Sequence, residues 1–163
     1  MKFKAGLGLG LFVTVLGFVS PAHAEPDPWT SNAISQKLSE RIGMDTSNGP
    51  GNGVFATAWA VNKIVKEALG FQLGKNPDFV NLIEAALKSG QGEVIRDRFR
   101  SIPGDIVVGA GGNLIVGICL NYGCSNVISN SASDAKLSWI STTDFDGIFP
   151  GSSTIYRVVD QQN

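Results

Sequence analysis

At 163 residues the chain is long enough for one domain with a real hydrophobic core. Thirteen Lys and Arg against fourteen Asp and Glu give a net charge of −1, without the basic face that phosphate contacts need, so no nucleic-acid partner is expected. The one basic cluster, Arg96, Arg98 and Arg100, is interrupted by Asp97 and reads as a solvated face.

The first element is an export signal. Lys2 and Lys4 precede a run from Ala5 to Val19 that is apolar or glycine apart from Thr14, and Ala22 and Ala24 stand where signal peptidase reads small residues. This predicts a signal peptide over residues 1–24, with Glu25 opening the mature chain. An uncharged run of about 15 residues is shorter than the roughly 20 of a spanning helix. No later segment is apolar for long enough, so no stable membrane span is expected after cleavage, and the location is secreted or periplasmic. Cleavage leaves 139 residues with a net charge of −3 and removes His23, the only histidine.

Residues 25–53 read as an N-terminal helix and linker. After a proline-containing lead, Ser31 is the predicted cap of a helix carrying Ile34, Leu38 and Ile42 at fourfold spacing and stopping at Gly43. Its narrow apolar stripe suits packing on a larger body. Met44 to Gly53 is a turn-rich loop without periodicity. Residues 54–163 form the main domain. A second helix is predicted from Ala56 to Leu69, ending at Gly70, with Ala58, Val61, Val65, Ala68 and Leu69 on its buried face and Trp59 and Ile64 widening it. A third starts with Asn76 as cap and Pro77 in the first turn, carries Phe79, Val80, Ile83, Ala86 and Leu87, and stops near Gly90.

After Ser101 the pattern becomes β-rich: Ile106 to Val108, Leu114 to Leu120, Asn126 to Ser129, Leu137 to Ile140, and Thr154 to Val159, separated by turn-forming stretches. Helices first and strands after predict an α+β fold, with helices on one side of an antiparallel sheet. Cys119 and Cys124 are spaced to pair across a hairpin turn at Leu120-Asn121-Tyr122-Gly123 in an oxidising compartment; two separate buried thiols are the alternative. No metal or cofactor is expected. Two sulfurs are too few for zinc, and the loop holding Asp144 and Asp146 lacks the further oxygens and terminal glutamate of a calcium loop.

Three motifs occur in order. Thr57-Ala58-Trp59-Ala60-Val61-Asn62 opens a helix, Pro103-Gly104-Asp105-Ile106-Val107-Val108 enters the sheet, and Val116-Gly117-Ile118-Cys119-Leu120 is followed by Val127-Ile128-Ser129-Asn130-Ser131. This arrangement, over roughly Val54 to Val159, resembles the CHAP family of cysteine- and histidine-dependent amidohydrolases and peptidases, which cut peptidoglycan peptides on a papain-like fold. The resemblance implies that a helix-start cysteine, activated by the helix N-terminus, is paired with a histidine from the facing sheet, which a polar residue orients.

In this chain the position matching the nucleophile is Thr57 and that matching the base is Ile115. Asn130 matches the orienting residue, with a plain turn residue as the alternative. A threonine hydroxyl needs an adjacent base, and Lys63 and Lys66 lie roughly 9 and 13 Å along the helix from it. The resemblance therefore implies a catalytically inactive CHAP-like domain that binds peptidoglycan peptides or a cell-wall protein. The alternatives are an active hydrolase with a non-standard catalytic set, and a secreted structural or effector protein. Trp59, Asn113 and Trp139 are the expected groove residues, with an ordinary core role as the alternative for Trp59.

Overall fold

A computed structural model describes residues 27–76, 78–109, 115–141 and 153–161. The expected signal peptide, Pro77, Asn113, Asp144 and Asp146 fall outside these. Helix α2, Thr57–Leu69, is the centre of the arrangement. Its apolar residues recur every three or four positions, so Ala58, Val61, Val65 and Leu69 share one buried face, joined by Ala60 and Ile64. Gly70 stops the helix in the left-handed region, at φ 81°, and donates its N–H to the Lys66 carbonyl. Buried Asn62 secures the chain that follows. Its Nδ2 donates to the Leu73 carbonyl at 3.1 Å, and its Oδ1 accepts from the Leu73 N–H at 2.7 Å.

Helix α1, Trp29–Ser39, packs beside α2 and sends Ile34 and Leu38 into the same core. Ser31 does not cap it, because the helix begins two residues earlier, where Asp27 Oδ1 accepts the Trp29 N–H at 3.0 Å. The Ser31 hydroxyl instead reaches across to Asp105. Helix α3 is Val80–Ala86, continued by a wider turn to Gln91 in which Gly90 takes φ 116°. Asn76 is not its cap. The Asn76 side-chain oxygen, Oδ1, accepts the Asp78 N–H in a local turn, and the helix starts only after extended Phe79. Among the described residues no helix is long and apolar enough to cross a membrane.

Among the described residues the sheet has six strands, all paired antiparallel: β1 Gly92–Val94, β2 Ile106–Val108, β3 Val116–Cys119, β4 Val127–Ser131, β5 Lys136–Ser141 and β6 Thr154–Val158, in the order β1-β6-β2-β3-β4-β5. Ile106, Val108, Val116, Ile118, Ile128 and Tyr156 face the helices. The other face buries a smaller cluster of Val107, Cys119, Cys124, Val127 and Ile155. Cys119 and Cys124 form a disulfide across the β3–β4 turn, with Cα atoms 5.0 Å apart. A bulge between Ser129 and Asn130 shifts the β4–β5 register.

One buried polar centre ties these layers together. Asp105, wholly buried, accepts Arg157 Nε and Nη2 on its two oxygens, both at 3.0 Å. The same carboxylate accepts the Ser31 hydroxyl at 2.5 Å and the Ile102 N–H at 2.9 Å. Gly104 beside it has φ 94°, and a side chain there would overlap the Ser31 carbonyl. The Pro-Gly-Asp turn is thus the seat on which α1 docks. Gly117 in the second motif answers a similar constraint, since a Cβ would come 2.8 Å from the Ile128 carbonyl oxygen on the neighbouring strand.

Candidate functional site

A cavity of about 760 Å3 opens at the N-terminal end of α2, between that helix, the start of α3 and the end of the sheet where β3 begins and β4 ends. Thr57, the first residue of α2, stands at its edge, half-buried. The cap residue is Ala56, which offers no side chain to the first-turn N–H groups. Ile115, just before β3, and Ser129, Asn130 and Ser131, on β4, line the cavity together with Trp139 of β5. Pro50, Val54 and Phe55 come from the loop before α2, and Phe79 and Val80 from the head of α3.

The structure thus brings Thr57, Ile115, Asn130 and Trp139 to one groove. Trp59 is not among its walls. Two residues further along α2, it borders a separate hollow of about 180 Å3 with Asn62, Lys63, Lys66 and Gln72, under the Lys63 ammonium at 5.7 Å. Asn130 lies within β4 rather than in a turn, and its amide is engaged. Its Oδ1 accepts the Thr46 hydroxyl at 2.5 Å, and its Nδ2 donates to the Gly53 carbonyl at 2.6 Å. Both partners belong to the glycine-rich loop before α2, so Asn130 fixes the loop that carries Val54 and Phe55. Asp45 braces the same loop: the Ser47 backbone N–H, 2.8 Å away, holds its carboxyl below the ordinary range. Ser129 also directs its hydroxyl inward, to the Val116 carbonyl at 2.7 Å.

The groove's own chemistry is apolar. Phe55 is 70% exposed and Phe79 55%, and both sit on the rim. The third helix does not carry Phe79, which precedes it in extended backbone and stands exposed. The Ile115 side chain also packs against the outer cluster around the disulfide, which links groove and sheet face. Asp78 is the one charged residue among the described lining. Lys63, the nearer lysine of α2, pairs with Glu67 Oε1 at 3.3 Å and does not border the groove. Among the described residues no cluster of three or more His, Cys, Asp or Glu is placed to hold a metal ion.

Phe55 and Phe79 escaped the sequence reading as groove residues. Their one signal was a bulky aromatic directly before a predicted helix start or in its first turn, where burial is least assured. A scan against models of known protein families finds no match for this chain, and neither does a search of curated proteins.

Proposed function

We propose that this chain is a secreted or periplasmic, catalytically inactive CHAP-like domain of papain-like architecture, whose groove at the head of α2 holds peptide. The peptide is a peptidoglycan stem or a segment of a cell-wall protein. One observation carries the reading. Thr57, Ile115 and Asn130, to which the resemblance gives the roles of nucleophile, base and orienting residue, line a single groove although they are far apart in the sequence. The α+β plan, with helices on one face of an antiparallel sheet, supports it. The disulfide supports an oxidising location.

The residues present favour binding over cleavage. A hydroxyl nucleophile needs a base within hydrogen-bond reach. Ile115 can neither take nor give a proton, the Asn130 amide is engaged with Thr46 and Gly53, and Lys63 is drawn to Glu67 and Trp59. The uncapped first turn of α2 leaves N–H groups for a peptide carbonyl, with the positive end of the helix dipole favouring that contact. The aromatic rim supplies apolar contact area.

The test is incubation of the mature protein with purified peptidoglycan and with soluble stem peptides, analysed by mass spectrometry. The expected result is no released fragment, from wild type or from Thr57→Ala. Fragments released by wild type and not by Thr57→Ala would mean that the groove is an active site.

A further inference from the structure

The groove's charge decides between the two kinds of peptide that the proposed function admits. A peptidoglycan stem peptide carries several carboxylates, and a site that holds it needs cations or well-placed donors for each; the uncapped first turn of α2 can meet one of them and leaves the others without a partner. Among the described lining residues there is no Lys or Arg, and the one charge is the carboxylate of Asp78.

The apolar surface points the same way. Phe55 and Phe79 stand more than half exposed on the rim, and Val54 is 48% exposed beside them. Exposed aromatic and aliphatic side chains around a cavity of about 760 Å3 fit the burial of a few apolar side chains, within the usual range for a binding pocket. Further inside, the Ser129 hydroxyl donates to the Val116 carbonyl and the Asn130 amide gives one N–H to the Gly53 carbonyl, which reduces the donors that a carboxylate could have used.

Resting on the proposed peptide-binding role, we propose that the occupant is a segment of a protein partner. It is anchored by an aliphatic or aromatic side chain, is free of carboxylates where it crosses the groove, and carries neutral or basic residues toward Asp78. The cell-wall stem peptide is not the ligand. Two features set the expected preference: apolar burial against Phe55, Phe79 and Trp139, and attraction of a basic residue to Asp78.

The experiment uses the full mature chain and four fluorescently labelled synthetic peptides, followed by anisotropy. They are a capped neutral hexapeptide alternating leucine with serine, the same peptide with one serine replaced by lysine, the same with one serine replaced by glutamate, and the stem pentapeptide. The leucine peptides without carboxylate are expected to bind, the lysine version tightest. The glutamate version should be weaker by about tenfold, the scale of one unfavourable charge contact. The stem peptide should show no saturable binding. Phe55→Asp changes a side chain already 70% exposed, so folding is not at stake, and it should lower the affinity of the leucine peptides by about tenfold or more. Asp78→Lys should reverse the order of the lysine and glutamate versions.

Saturable binding of the stem peptide, with the leucine peptides silent, would overturn this inference while leaving the groove a peptide site. Binding of leucine peptides that ignores both Phe55→Asp and Asp78→Lys would overturn the assignment to this groove. If none of the four peptides binds, both the inference and the binding role fail.

Discussion

Removing the Asp105 carboxylate tests the structural account at its most connected point. In Asp105→Ala the buried Arg157 guanidinium loses both of its 3.0 Å bonds to that carboxylate, the Ser31 hydroxyl loses its acceptor, and the Ile102 N–H loses its partner. Breaking one side of a buried ion pair costs about 3–5 kcal/mol, because the remaining charge stays desolvated. The orphaned Ser31 and Ile102 donors put the expected value in the upper part of that range. Typical domain stabilities are about 5–15 kcal/mol, so the variant would retain a small margin or unfold at room temperature. The assay is urea unfolding of the mature, oxidised protein, followed by fluorescence of Trp29, Trp59 and Trp139. Replacing both partners, as Asp105→Leu with Arg157→Met, should recover at least half of the loss, since two apolar side chains leave no buried charge. A loss under about 1 kcal/mol for Asp105→Ala, with an unchanged denaturant slope, would refute the idea that this pair holds α1 to the sheet.

Three further predictions follow from other elements. Reduction of the Cys119–Cys124 disulfide, or its double replacement by serine, should lower stability by about 2 kcal/mol, the loop-entropy value for so short a closure, as measured by unfolding with and without reductant. Gly104→Ala should cost about 2 kcal/mol or more, because φ 94° strains any side chain and the added methyl meets the Ser31 carbonyl; a thermal melt checks it. Burial pushes the Tyr156 phenol up, with Lys88 drawing it down and Glu84 raising it. The folded value exceeds the unfolded one, so the neutral phenol's contribution is whole below about pH 10 and is lost as pH rises through the folded value. Ultraviolet difference absorbance should therefore show a tyrosine titrating late, and urea midpoints should fall above that pH.

Much of the fold is legible in the residues because burial and periodicity agree there. Helix α2 has an apolar face at 3.6-residue spacing and a glycine stop, and β2 is a run of three branched apolar residues between turns. Strand β1 left no such trace: Gly92–Val94 is short and largely exposed, and it becomes a strand only by pairing with β6. Ser31 has the chemistry of a cap, yet tertiary contact with Asp105 gives it a different partner. The same holds for the Pro-Gly-Asp turn. Its aspartate looked like part of a strand entry, and its bond to Arg157, 52 residues away, has no local signature. At the groove, Thr57, Ile115 and Asn130 were found through the resemblance and not through periodicity. The aromatic rim was missed, because nothing local distinguishes a Phe that faces solvent from one that enters the core.

The central claim is that the groove at the head of α2 holds peptide and leaves it intact. Its most direct test is a two-dimensional amide NMR titration of the mature protein with the tightest-binding of the labelled peptides, followed by mass analysis of the peptide. The account predicts shifts gathered on Thr57, Phe79, Val80, Ser131 and the Trp139 indole, and an uncut peptide after prolonged incubation. Shifts gathered instead around Trp59, Lys66 and Gln72, or a peptide recovered in two pieces, would contradict it.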